Sequence, residues 1–275
     1  MTPPVKYPAL HWIVHTVIRY AESLTRSTAG PVAGYMLLVL VWQILALSNT
    51  TIPSPEATFR TALGLFMPSE PVAPSNSTGL GWNIVVTLKR LMYGLALAIT
   101  IGFPIGVLLG RLTWLSALFT PAINLFRHVS PLAWLPFGLL VFHTPESAAV
   151  WTIFVCSLWP VLNQTAEGIR RVPKEYHNLA RTLAMTEWTT FTRIMLPAAA
   201  PNIVTGLRMA VSGAWLVVIA SEMFIGGEGI GSWLRMALTN ANGEKIVIAI
   251  VLVGTMGLLL DLPLLALRKR FTPKN

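Results

Sequence analysis

The sequence predicts an all-α, polytopic membrane protein with about six transmembrane helices. Three observations lead there. Hydrophobic residues make up 54% of the 275 positions and charged residues only 11%, with a mean hydropathy of +0.63. Soluble domains carry about 25% charged residues, so most of this chain's surface must meet lipid or other subunits. Six apolar segments, near 31–48, 88–110, 115–142, 147–166, 202–224 and 246–266, mostly approach the roughly 20 residues that a bilayer core requires. The cations between them are unevenly shared, as membrane topology demands.

At the N-terminus, residues 9–28 show helical periodicity. Leu10, Ile13, Val14, Val17, Ile18, Ala21 and Leu24 share one stripe, with His11, His15, Arg19, Glu22 and Arg26 opposite. A helix lying in the headgroup region and a helix packed on a neighbouring subunit both fit this pattern. His11 and His15 stand at metal-ligand spacing, but the sequence supplies no third ligand, and no metal site is expected. The first uninterrupted apolar run, Val32 to Leu47, is followed by no cleavage pattern and reads as a retained anchor, span 31–48.

Residues 49–86 contain Pro53, Pro55, Pro68, Pro71 and Pro74 and predict an external loop with little regular structure. With both termini inside, the inner segments and tails hold thirteen Lys and Arg residues against five outside, and Arg127 and Arg208 fall within spans. That bias predicts cytoplasmic termini, a bilayer partner and no nucleic acid, despite a net charge of +9. Cys156 lies in an apolar run and reads as a small buried hydrophobe.

The longest inner loop, 167–201, is patterned. After Val172-Pro173, Tyr176, Leu179, Ala180, Leu183 and Ala184 form an apolar stripe, and Lys174, Glu175, His177, Asn178, Arg181 and Thr182 are polar. Thr186 is placed to cap a second short helix carrying Trp188, Phe191 and Met195, with Leu196-Pro197 as its stop. A mere connector needs far fewer residues. Two amphipathic helices therefore suggest a docking surface, and a loop packed on its own spans is the alternative.

The stretch Asn178 to Ala184, continued by Ile194-Met195-Leu196-Pro197, resembles the EAA signature of bacterial ABC importer permeases: Glu-Ala-Ala, three residues, Gly, nine residues, then Ile-x-Leu-Pro. Every spacing is met, with Asn178, Leu179 and Ala184 replacing the Glu, first Ala and Gly. The resemblance covers roughly 80–270. Ser130-Pro131-Leu132-Ala133-Trp134-Leu135-Pro136, Gly206-Leu207-Arg208, Ala214-Trp215 and Ser221-Glu222-Met223 look like the nitrate/sulfonate/taurine/bicarbonate branch, and Ser157 to Gly168 looks most like its nitrate permeases. The resemblance implies a transporter domain over 87–270 and a short tail, 271–275. It also implies a cytoplasmic coupling helix seated on an ATPase, with Tyr176, Asn178, Leu179, Ala180, Arg181, Leu183, Ala184, Ile194, Leu196 and Pro197 in that loop. The implied partners are a second permease copy, two ATPase subunits holding ATP and magnesium, and an external binding protein. This chain, in a bacterial inner membrane, would itself hold no cofactor. Nitrate or nitrite is the first substrate expectation; bicarbonate, cyanate and taurine or other sulfonates follow. An autonomous channel or secondary transporter would leave the patterned loop without a purpose.

Counted along a straight third span, Arg127 lies about 15 Å deep. An arginine at mid-bilayer costs about 2.5–3.5 kcal/mol on insertion scales, so it should face protein or a water-filled path. It either attracts a small anion, or satisfies carbonyls freed by Pro131 and Pro136, or belongs to a helix placed less deeply. His128, Ser130, Trp134, Trp159, Asn163, Gln164 and Glu222 are further lining candidates. Glu222 counts as shallower than Arg127, and no pair between them is expected. Gly226 to Gly231 has a nucleotide-like look but follows no strand and reads as a flexible turn. No phosphate-binding Gly-Lys-Ser/Thr loop and no convergent His, Asp, Glu or Cys cluster is present, so no enzymatic activity is expected in this chain.

Overall fold

The computed structural model describes residues 30–48, 52–66 and 79–271. The predicted helix over 1–30 falls almost wholly outside them, and the tail 272–275 entirely so. The chain divides into two compact units, Met1–Ala62 and Leu63–Asn275. In the first, α1 (Gly30–Ser48) is apolar and exposed along its length, as a lipid-facing anchor requires. Part of the segment expected to be irregular is a helix, α2 (Pro55–Phe66), which ends just inside the second unit. Ser54 Oγ accepts from Ala57 N at 3.2 Å, and Pro55 takes the first helical position, where its missing N–H is harmless. Proline here begins a helix where the sequence reading expected it to prevent one.

The second unit has only helices as regular elements among its described residues. It comprises α3 (Leu80–Arg111), α4 (Thr113–Phe126), a 3-10 turn (Pro131–Ala133), α5 (Trp134–Phe142), α6 (Pro145–Arg170), α7 (Lys174–Thr182), α8 (Glu187–Thr190), a π-type turn (Phe191–Met195), α9 (Leu196–Ile225), α10 (Ile230–Thr239) and α11 (Gly243–Phe271). Spans 1, 2, 4, 5 and 6 of the sequence reading correspond to α1, α3, α6, α9 and α11. The second begins eight residues earlier than expected, at Leu80.

Glycines set the frame. Gly94 lies against Ile153, Gly106 against Leu162 and Thr165, and Gly110 against Ala166 and Ile169. Both numbers rise together, so α3 and α6 run parallel. A Cβ on Gly106 would stand 2.7 Å from the Leu162 carbonyl oxygen. Without a hydrophobic driving force inside lipid, such close backbone approach supplies the packing contact. Gly168 meets Ala199 and Asn202, and Gly206 meets Gln164 and Pro160, so α9 runs antiparallel to α6. Leu91, Leu95, Ile153, Ala214, Trp215, Val218 and Ile230 fill the core between these helices. Trp215 Nε1 donates to the Val253 carbonyl at 3.0 Å, tying α9 to α11.

The expected continuous span 115–142 is instead broken. The axes of Thr113–Phe126 and Pro131–Phe142 differ by 86°. Pro131 lacks an N–H and keeps Ser130 out of the helical region, at φ −54° and ψ 129°. The second helix of the inner loop is also not separate. Leu196-Pro197 does not stop it; a helix runs from Glu187 to Ile225. The π-type turn at Phe191–Met195 precedes Pro197 and absorbs the hydrogen bond that proline cannot make.

Candidate functional site

The break between α4 and α5 builds a groove of about 360 Å³ against α6 and α9. Phe126 stacks on Trp159 at 6.2 Å between ring centroids, and Trp134 packs against Phe126, Phe137 and Trp151, which fixes the non-helical residues between. Arg127, His128, Trp134, Trp159, Asn163 and Gln164, six of the eight lining candidates, meet there with Cys156 and Met209. Among its lining residues the groove has no carboxylate. Gln164 Nε2 points at Met209 Sδ, 3.8 Å away, and the buried Trp134 Nε1–H has no partner among the described residues. The groove offers cationic and neutral donors together, a donor set suited to an anion. Arg127 is not inside a continuous span; it caps α4, with its N–H on the Ile123 carbonyl at 3.0 Å. Ser130 is exposed outside the groove lining and opens the 3-10 turn.

Glu222 lies elsewhere. It is 1% exposed in α9 and belongs to a buried polar cluster at the far end of α3. Arg90 Nη1 donates to Glu222 Oε1 at 2.8 Å and to the Glu228 carbonyl at 2.6 Å, while its Nε and Nη2 reach the Glu146 carboxylate. Thr87 Oγ lies 2.9 Å from both Glu222 carboxylate oxygens and accepts from Ile230 N. Gly231 N donates to Glu222 Oε2 at 2.9 Å, and Gly229 N to Asn83 Oδ1 at 2.7 Å. The glycine-rich segment is therefore a fixed clamp and not the flexible turn expected. Gly226, Gly227 and Gly229 take positive φ, and a Cβ on Gly229 would strike the Glu222 carboxylate. Arg90, one of the five cations counted on the outer side, is 6% exposed and organises the cluster. One signal for it was available: Asn83, Thr87 and Arg90 recur at i, i+4, i+7 on an apolar helix, and Gly94 extends the stripe.

At the other end of α3, α7 carries the patterned loop. Tyr176, Leu179 and Leu183 are 46%, 50% and 62% exposed on one face, while Ala180 is buried. Lys174, Asn178 and Arg181 turn toward a cleft beside the ends of α3 and α6. Ala184 adopts φ 48°, the left-handed conformation that glycine would take without strain. Met185 N donates to the Ala180 carbonyl and Ala184 N to that of Arg181, both at 3.0 Å, which closes a Schellman end. Ile194 and Leu196 are half-buried and Pro197 is exposed in the helix that follows.

A bundle of apolar helices with one broken span, and an amphipathic helix whose apolar face is uncovered at one end, define a membrane permease that works with other subunits. The chain belongs to the family described as binding-protein-dependent transport system inner membrane component, matched over residues 102–274, the ABC importer permeases. It is 36% identical over 236 residues to the "Bicarbonate transport system permease protein CmpB" of Synechococcus elongatus, covering 84% of each chain. It is 35% identical over 234 residues to the "Nitrate import permease protein NrtB" of a Synechocystis strain, again covering 84% of each. In fold it is similar to a chain of the inward-facing MetNI methionine ABC transporter, with a TM-score of 0.63 at 18% identity, covering 70% of this chain and 96% of that one. Permeases of this family work with ATPase subunits and a binding protein and form a non-enzymatic transport family.

Proposed function

We propose that this protein is the permease of an ATP-driven importer for a small inorganic oxyanion, nitrate or nitrite first. The observation carrying this reading is the groove at the broken span, where Arg127, His128, Asn163 and Gln164 face a space without a carboxylate. A monovalent oxyanion sheds water more readily than a divalent one, and paired cationic and neutral donors replace that water. Two copies would line the path, two ATPase subunits binding ATP and magnesium would drive it, and an external binding protein would deliver the anion. Both termini would lie in the cytoplasm of a bacterial cell, with Tyr176, Leu179 and Leu183 seated on the ATPase. Bicarbonate is the second reading, because the CmpB and NrtB relatives are about equally similar.

The test is uptake by the assembled complex in competition with nitrite, bicarbonate and taurine. Nitrate uptake should be suppressed by nitrite and not by taurine; suppression by bicarbonate at equal concentration would favour the second reading. Arg127→Gln should leave ATP hydrolysis intact while slowing nitrate import roughly tenfold or more, the worth of one hydrogen bond to a charge. Import at the parental rate in an assembled complex would reduce Arg127 to a structural arginine.

A further inference from the structure

A second polar cleft, of about 760 Å³, lies at the opposite end of α3 from the Arg90 cluster. It is enclosed by the last residues of α3 (Gly110, Arg111), the start of α4 (Thr113), the end of α6 (Ile169, Arg170) and the polar face of α7. Four cations, Arg111, Arg170, Lys174 and Arg181, face it with one carboxylate, Glu187. Two of them are fixed. Arg111 Nη2 donates to Glu187 Oε2 at 2.7 Å and covers the Phe191 ring, and Arg170 Nη2 donates to Ser116 Oγ at 2.6 Å. Lys174 and Arg181 have no partner among the described residues. The cleft therefore holds unneutralised positive charge beside a preorganised arginine pair.

We propose that this cleft binds the phosphate headgroup of an anionic phospholipid. Position selects the lipid over other anions. The cleft opens where α3 and α6, two apolar helices of membrane-spanning length, end, and basic pockets between transmembrane helices are known lipid-headgroup sites. Its apolar floor includes Ile169, Val172 and Met195. The adjoining α4 presents Trp114 and Leu118, 65% and 64% exposed, as a surface for an acyl chain, and tryptophan is a residue that favours the membrane–water interface. Tyr176, Leu179 and Leu183 do not line the cleft, whereas Lys174, Asn178 and Arg181 do, so a lipid and an ATPase would occupy opposite faces of one helix. A headgroup held by Lys174 and Arg181 on α7 and by Arg111 and Arg170 on the spans joins the loop helix to the bundle. This inference stands whichever anion is carried.

The experiment uses the purified complex of permease and ATPase subunits in detergent, titrated with dioleoyl phosphatidylglycerol and read by native mass spectrometry. Phosphatidylglycerol should bind about tenfold or more tightly than phosphatidylcholine, and Lys174→Gln should weaken it about fivefold, the worth of one cation at an anionic surface. Glu187→Gln, which removes the one carboxylate and leaves the charge of Arg111 unneutralised, should tighten binding several-fold. It decides the matter if Lys174→Gln fails to fold. Equal retention of the two lipids, or unchanged binding in both variants, would overturn the proposal. Displacement of the lipid by inorganic phosphate at equal concentration would assign the cleft to a free phosphate instead. Dissociation of the ATPase from a folded Lys174→Gln permease would make the cleft a subunit contact, and the proposal would fall.

Discussion

Arg90 and Glu222 show what one buried charge demands of its neighbours. Glu222 is 1% exposed and Arg90 6%, and each presents the opposite charge to the other at 2.8 Å. Glu146, by contrast, keeps a side chain 65% exposed. Arg90→Gln leaves Glu222 buried with only Thr87 and backbone donors, and should lower stability by about 3–5 kcal/mol. Glu146→Gln removes a solvated partner and should cost about 1 kcal/mol or less. Thermal unfolding followed by size-exclusion retention in detergent measures both; equal losses would show that the buried pair is not the strut of the clamp. This pair was not legible in the sequence because its partners stand 132 residues apart. Arg90 was counted only as an outer cation, whereas α3 begins at Leu80 and places the arginine about three turns inside a helix. Six groove residues were legible, because Arg127 to Trp134 and Trp159 to Gln164 are local runs of polar and aromatic residues in apolar surroundings.

At the scale of one element, α7 ends on a strained residue. Ala184 at φ 48° costs on the order of 1 kcal/mol relative to a right-handed conformation, and glycine removes that strain at some entropic cost. Ala184→Gly should therefore stabilise the loop by about 0.5 kcal/mol, seen as slower hydrogen exchange at the Ala184 and Met185 amides that close the helix. Faster exchange there would mean that the left-handed turn is not populated. The exposed apolar face makes a separate demand. Leu183, 62% exposed, gains nothing from its present surroundings, so its value lies in what covers it. Leu183→Asp should insert normally yet abolish transport-coupled ATP hydrolysis in the assembled complex, and intact coupling would remove this face from the ATPase contact. The stripe on α7 was readable from its period alone. The fusion of α8 with α9 was not, because a proline that ends one helix and a proline that sits in the first turn of the next are the same letter.

For the whole membrane domain, helix directions turn a charge count into a topology. α3 and α6 are parallel and α9 is antiparallel to them, so the ends of α3 and α6 and the start of the α8–α9 helix share one face with α7. That face carries Arg111, Arg170, Arg171, Lys174, Arg181 and Arg193. Arg208 is no exception to the bias, since it lies within α9 and is neutralised by Asp261 of α11 through bonds of 2.9 and 2.8 Å. Trp215 meets Val253 and Gly257 while Arg208 meets Asp261, so α11 is antiparallel to α9 and ends on the α7 side. The positive-inside rule would place a face with these cations in the cytoplasm. The face at the start of α3, with the Arg90 clamp, would then look outward. Two of the five cations first counted as outer, Lys89 and Arg90, lie in α3 itself. Ser69 precedes α3 and Thr272 follows α11, so cysteines at these positions should label from opposite sides in a Cys156→Ala background. Ser69→Cys should react with an impermeant maleimide added to intact cells, and Thr272→Cys only after the membrane is opened. Reaction of both in intact cells, or of neither, would break the link between helix direction and charge and invert or abolish this orientation.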